Sequence, residues 1–510
     1  MSAGESKMFV AANEGVLILL LCLAAALRVF IFSAAFPFFS NIDEDLHFDL
    51  ITQYSHGHIP RGFDRLKQET LNWIVPYASP EFLSAPEQFP DGKFPAPLWK
   101  QSWSKVEPEI AATRAAWSTE TNFESSQPPL YYALAGLWWW IGEQIGLVGI
   151  QSLYWIRFLN AGLMAIVVWL GYVAARAIAP ERVELRIGVP LLMAFIPQNV
   201  FYAMNNDVLS PLCFGLLFLC VFKWLRLDAP SILVGAITGV AIASTYLTKL
   251  SNLPLIIIAA VIILARLGVI VRRQPRAGLV ALAALLLCAA IPICSWMVWL
   301  KLQFGDVTGS TVKFALLDWT RKPFHEWWQH PIFSPRGLWV FWSDLVATFW
   351  RGEVEWHGRR FNWKIADPLY AVSSLVFIAA AILGLRKSFA LSAFQRRAIA
   401  VAILTVAAGV AFLGLLSTQF DFGSCVNPSR SHPYFTSGRL LSGAIIPFAL
   451  SYVYGISYLC RLATSRFRQI RWIDAASPLV VLGAIVVFSQ ASEIFVTQPV
   501  FASEHNWFHR

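Results

Sequence analysis

Three observations predict an all-α, polytopic membrane protein. Of 510 residues, 57% are hydrophobic and only 14% are charged, with mean hydropathy +0.56; a soluble globule averages roughly a quarter charged. Apolar runs of about 17–25 residues recur along the chain, long enough for helices to cross a hydrocarbon core of about 30 Å. Basic residues gather in short loops between those runs, where the positive-inside rule puts them.

The first run, Gly15–Phe36, is too long for the apolar region of a signal peptide and lacks a clear small-residue cleavage site, so it reads as a retained span. The runs that follow are Tyr154–Ala175, Ile187–Met204, Val208–Phe222, Ile232–Thr248, Leu253–Ala265, Leu279–Leu300, Pro368–Leu385, Ala398–Leu416, Leu440–Cys460 and Ala475–Phe488. That makes about eleven spans in a single integral membrane domain over residues 1–510.

One further apolar stretch, Leu130–Leu147, is ambiguous, and charge decides it. The loops with Arg176, Arg182 and Arg186, with Lys223 and Arg226, with Arg266, Arg272, Arg273 and Arg276, with Arg386, Lys387, Arg396 and Arg397, and with Arg461, Arg466, Arg468 and Arg471 belong on the cytoplasmic side. They stay together only if Leu130–Leu147 does not cross. It is therefore expected to be an interfacial or re-entrant helix, with Trp138-Trp139-Trp140 at headgroup depth. The N-terminus then lies inside and the C-terminus outside.

Alternation leaves four regions outside: Pro37–Gln127, the Asn205-Asn206-Asp207 turn, Lys301–Asp367 and Ser417–Arg439. The two long loops, 37–127 and 301–367, are rich in Trp and are expected to carry interfacial helices that roof a cavity, since long ordered loops usually carry function. The net charge of +9 is accounted for by the basic loops and does not suggest nucleic acid. Of seven cysteines only Cys425 falls in a predicted outer loop, so no disulfide framework is visible.

The densest polar cluster, Asn41-Ile42-Asp43-Glu44-Asp45-Leu46-His47-Phe48, directly follows the first span. On a helix, Asp43 and His47 share a face at i,i+4. A carboxylate there could accept a proton from a hydroxyl, ligate a cation with His47, or simply cap a helix. Gln127-Pro128-Pro129-Leu130-Tyr131-Tyr132 starts a helix rigidly at the end of the first outer loop. In Pro197-Gln198-Asn199 through Asn206-Asp207, an Asp at the membrane border must be solvated or paired, or it caps the next helix. Lys249 and Arg439 break the positive-inside pattern and suit an anionic ligand such as phosphate, or they snorkel to headgroups. Arg28, deep in the first span, needs a partner. The segment Arg351-Gly352-Glu353-Val354-Glu355-Trp356-His357 could add metal ligands or acceptor contacts, though without zinc-type spacing. No phosphate loop, dinucleotide fingerprint or nucleophile elbow is present.

The order of these motifs resembles the GT-C-fold membrane glycosyltransferases. It runs Asp43-Glu44-x-x-His47, Gln127-Pro128-Pro129-Leu130-Tyr131, Pro197-Gln198 with Asn206-Asp207, Thr248-Lys249-Leu250 and Gly438-Arg439-Leu440. Within that superfamily the chain looks like a bacterial multi-pass family, and more distantly it is similar to protein O-mannosyltransferases and the lipid A aminoarabinose transferase. The resemblance implies a GT-C-like helix bundle in the cytoplasmic membrane with its site on the extracytoplasmic side. It implies transfer of a sugar, with inversion, from a polyprenyl-phosphate donor to a lipid, glycan or protein acceptor of the envelope. Asp43 would be the base, with Glu44 the second choice. Lys249 and Arg439 would hold the donor phosphate, and Asp207, His47, Asn206 and Gln127 would complete the substrate-binding set. No cofactor is required; the acidic cluster leaves room for a divalent cation, but no metal ligands are assigned. Two departures stand out: Asp45 is an extra acid, and Leu440 stands where an aromatic residue is expected.

Two other classes compete with the transferase. A lipid or solute transporter would keep its ionisable groups near the midplane, often between internal repeats; here the acids cluster at one border and no repeat is evident. A non-catalytic envelope scaffold would tolerate replacement of Asp43, Lys249 and Arg439.

Overall fold

The computed structural model describes residues 3–40, 42–361, 363–387, 391–464 and 471–509. Asn41, Arg466 and Arg468, which belong to segments singled out above, lie outside the described residues. Among those described, nine helices are long and apolar enough to cross a membrane, and strands are confined to two-residue pairings in the loops.

Two of the expected spans stand apart: one forms over its expected bounds but is short, and the other is broken. Ile232–Thr248 is a helix of 17 residues, about 26 Å long at 1.5 Å per residue. It lies against the Pro275–Phe304 helix so closely that a Cβ on Gly235 or Gly239 would stand 2.1 Å from the Ala281 carbonyl oxygen or 2.4 Å from that of Leu285. Small residues permit such approach where lipid tails supply no hydrophobic drive between helices.

The expected span Ile187–Met204 is broken. Its helix, Val183–Ala194, stops shortly before Pro197, and the chain continues as short 3-10 turns, Asn199–Tyr202 and Asn206–Leu209. A residue preceding proline is driven away from helical angles, and the freed carbonyls then need donors. Arg28 supplies them: Nε donates to the Ala194 carbonyl at 3.1 Å and Nη2 to that of Ile196 at 2.7 Å. The same guanidinium pairs with Glu493 at 3.2 Å and donates to the Tyr202 hydroxyl at 2.6 Å. The last helix therefore runs on to Phe501, well past the expected end at Phe488, carrying the carboxylate that the first helix requires.

The Leu130–Gln144 helix has 15 residues, about 22 Å, short of the roughly 30 Å core. It packs on the Glu44–Ser55 helix and is locked to the Ile150–Ile178 helix by two stacked indoles. Trp138 Nε1 donates to the Trp155 carbonyl at 2.8 Å, and Trp155 Nε1 returns the bond at 2.7 Å. The first outer loop also holds helices Gln68–Tyr77 and Trp103–Trp117; the second holds Ser310–Leu316 and Pro335–Arg351.

Candidate active site

The motifs around Asp43, Gln127, Asp207, Lys249, Glu353 and Arg439 end in or beside one cavity of about 550 Å³. Its wall includes Asp43, His47, Glu124, Gln127, Lys249, Lys313, Glu353 and Arg439. The first and second outer loops and the chain before Arg439 all contribute, so residues hundreds of positions apart meet.

Asp43 precedes the Glu44–Ser55 helix with φ +62°, a left-handed conformation in which Asp is among the few tolerated side chains. Backbone held in that region by its surroundings is often found at functional sites. The Asp43 carboxylate accepts from Arg439 Nη2 at 2.9 Å and remains partly open to the cavity. The Arg439 Nη1 group donates to the Ile42 carbonyl at 3.2 Å. Its Nε lies 3.8 Å from Glu353 and 4.0 Å from Asp207.

Lys249 stands between two helices, Ile232–Thr248 and the one beginning at Leu253, and pairs with Asp207 at 2.7 Å. Asp207 itself is fully buried behind the cavity wall, and its Oδ1 finds no hydrogen-bond partner among the described residues. Asn205 caps this turn, its side-chain oxygen accepting from the Asp207 amide at 2.8 Å, and its own amide donates to the Tyr131 hydroxyl at 3.1 Å. Asn206 donates to Gln127 at 3.3 Å. The Gln-Pro-Pro segment and the Asn-Asn-Asp turn thus brace each other.

Of the residues expected to bind substrate, His47, Gln127, Lys249 and Arg439 line the cavity, whereas Asn206 and Asp207 reach it only through Gln127, Lys249 and Arg439. The second-choice base, Glu44, takes a different place from Asp43. It is fully buried away from the cavity, paired at 2.6 Å with an equally buried Arg157. Arg157 spends its other donors on the carbonyls of Ser33, Phe36 and Pro37, and Glu44 also accepts the amides of Ser40 and Met204. A carboxylate with all its lone-pair sites filled has no capacity left for an acceptor proton.

Asp45, the third acid of the run, is half-buried. Burial, together with the neighbouring Asp43 carboxylate, pushes its pKa up to about 7. Burial also drives His47 down to about 3, so the imidazole is neutral; its Nδ1 lies 2.8 Å from the Tyr132 hydroxyl. Glu124 is held down at about 2: burial opposes ionisation, but Lys313 at 2.7 Å and the other groups that favour its charge, Lys249 among them, together outweigh it.

Glu124 and Lys313 were not visible in the sequence as site residues, because nothing in their local pattern reports a partner 189 positions away. The segment containing Glu353 was visible, but its connection to Arg439 was not. Among the described residues no group of three or more His, Cys, Asp or Glu side chains is disposed to hold a metal ion; Arg439 and Lys249 occupy the places between the carboxylates.

Comparison with known proteins gives a family and a set of distant folds. A protein-family model described as "Predicted membrane protein (DUF2142)" matches residues 27–421. No curated protein matches the chain. Among solved structures, the chain is similar to the oligosaccharyltransferase AglB of Archaeoglobus fulgidus in complex with an inhibitory peptide and a dolichol-phosphate, at 11% identity and TM-score 0.41 over 94% of this chain. It spans 56% of the length of that protein. It is similar also to ArnT of Cupriavidus metallidurans bound to undecaprenyl phosphate, at 12% identity and TM-score 0.41, covering 99% of this chain and 78% of that one.

Proposed function

This chain belongs to the DUF2142 family of predicted membrane proteins, and from that premise we propose that it is a glycosyltransferase using a polyprenyl-phosphate-linked sugar at the outer face of the cytoplasmic membrane. The observation that carries the reading is the shared cavity in which Asp43 meets Arg439, with Lys249 also in its wall. The resemblance of the ordered motifs to GT-C transferases supports the choice of chemistry.

Each group has a part. An acceptor hydroxyl loses its proton to Asp43 as its oxygen attacks the anomeric carbon. The new carbon–oxygen bond forms as the bond to the phosphate oxygen breaks, on the opposite face of the sugar, so the configuration inverts. The lipid phosphate leaves with the electron pair, and Lys249 and Arg439 stabilise the charge that grows on it. Apolar side chains of the cavity wall, Leu250, Phe412, Leu416 and Leu440, suit the first units of a lipid tail. A cavity of about 550 Å³ falls within the roughly 300–1,000 Å³ usual for small-molecule sites.

Purified protein offered a panel of prenyl-phosphate sugars with envelope acceptors is expected to yield product. Asp43→Asn is expected to reduce transfer about 10²–10⁴-fold, the usual weight of a general base, with unchanged elution and melting. Full activity in that variant rejects the assignment. Accumulation of solute in proteoliposomes without any covalent product replaces the transferase with a transporter.

A further inference from the structure

The Arg439 guanidinium occupies the Asp43 carboxylate that the acceptor proton needs. Arg439 is also the group proposed to take the phosphate. The two roles conflict unless something moves or holds Arg439 when the donor arrives, and Glu353 is placed to do so.

Glu353 follows the Pro335–Arg351 helix, and two glycines allow it to come so close. Gly352 turns the chain with φ +83°, and a Cβ there would stand 1.7 Å from the Asn199 side-chain oxygen. Gly438, next to Arg439, passes the same helix end, and its Cβ would stand 2.0 Å from the Phe349 amide nitrogen. The helix end is pinned to the broken span as well: Gln198 donates to the carbonyls of Thr348 at 3.0 Å and Phe349 at 2.7 Å. The Thr348 hydroxyl accepts the Gly438 amide at 3.0 Å.

A relay completes the arrangement. Arg439 Nε faces the Ser437 hydroxyl at 3.4 Å, and that hydroxyl donates to Glu353 Oε2 at 2.9 Å. The guanidinium is thus held at Nε by Ser437 and Glu353 and at Nη2 by Asp43. Asp207 has its own cation in Lys249.

We propose, resting on the transferase reading above, that Glu353 is a positioning residue: it retains Arg439 while the donor phosphate draws the guanidinium off Asp43, so that Asp43 becomes a free base only in the donor complex. A phosphate on Arg439 acts on Asp43 twice. It competes for the positive charge, and it sets a like charge beside the carboxylate; both strengthen the base. The acceptor is then activated only after the donor is seated.

The test follows Asp43 itself. Protein in detergent is treated with a water-soluble carbodiimide and a nucleophilic amine, with and without undecaprenyl phosphate, and labelling of Asp43 is read by mass spectrometry; lipid binding is measured separately by thermal shift. Carbodiimide reacts with protonated carboxyl groups, and one unit of pKa changes that fraction about tenfold. The expected result is an approximately tenfold rise in Asp43 labelling on lipid binding. Glu353→Gln is expected to bind the lipid with little rise, and Glu353→Asp to restore part of it, an effect that a purely structural glutamate does not produce. Binding without any change in wild-type labelling overturns this inference and leaves the transferase standing. A full rise in Glu353→Gln removes Glu353 from the device and overturns the proposal. No binding of the lipid phosphate overturns the transferase reading and this inference together.

Discussion

Asp43 and Glu44 are adjacent in the chain, each meets an arginine, and the two pairs are opposites. At Glu44 every polar valence is used. Arg157 places its donors on Glu44 and on three carbonyls, and Glu44 receives two backbone amides besides, with neither side chain exposed at all. At Asp43 the guanidinium is shared among a carbonyl and several carboxylates, and both side chains reach the cavity. A saturated pair fixes geometry, whereas an incompletely used one has donors to give a ligand. Asp45 is a third case: no ion pair reaches it among the described residues, and burial holds its proton on up to about pH 7.

The largest effect should come from breaking the saturated pair. Arg157→Met leaves Glu44 buried without its counter-charge and is expected to cost about 3–5 kcal/mol, read as a fall in melting temperature and in extractable protein. Adding Glu44→Gln should recover part of that loss, since the stranded charge is gone. If the single variant is as stable as the parent, the distinction between the two pairs fails.

Breaking the open pair should instead spare the fold. Arg439→Lys keeps the charge and loses the planar fork. Turnover is expected to fall about 10²–10³-fold, as when one oxyanion donor is removed, with melting little changed.

Two pH measurements sharpen the comparison among neighbours. The Asp45 carboxyl ionises near 3.8 in the unfolded chain and near 7 in the folded one. The folded state therefore binds the extra proton, and stability falls as pH rises through that window. Asp45→Asn should raise the melting temperature above about pH 7 and change it little near pH 3.8.

His47 runs the other way. The unfolded chain takes a proton near 6.5, while the folded state refuses it down to about 3. Its contribution is complete above pH 6.5 and is lost as pH falls toward 3. His47→Gln should flatten that acid limb, the smallest of the effects, and an unchanged slope places the acid sensitivity elsewhere.

Much of this was legible in the sequence. Hydropathy runs and basic loops give the helices, and the positions of Asp43, Lys249 and Arg439 at run borders mark a shared polar end. What could not be read is partner choice. Nothing local says that Glu44 will be claimed by a side chain 113 positions away while its neighbour is not. The demand of Arg28 for a partner is plain from its depth, but its satisfaction by Glu493 is a matter of packing. For the same reason the broken span passed as a continuous one. Ile187–Met204 is apolar enough to cross, and only the proline and the distant guanidinium decide that it stops.

Arg28 and Glu493 are separated by 465 positions, which has a bearing on biogenesis. A ribosome must pass residue 493 before the cation at Arg28 can meet its anion. Until then, Arg28 can reach the Ala194 and Ile196 carbonyls but has no counter-charge, and an unpaired cation within a span is costly. A chain released before the Arg471–Phe501 helix would therefore hold an uncompensated charge in its first span, even with Asp43, Lys249 and Arg439 all synthesised.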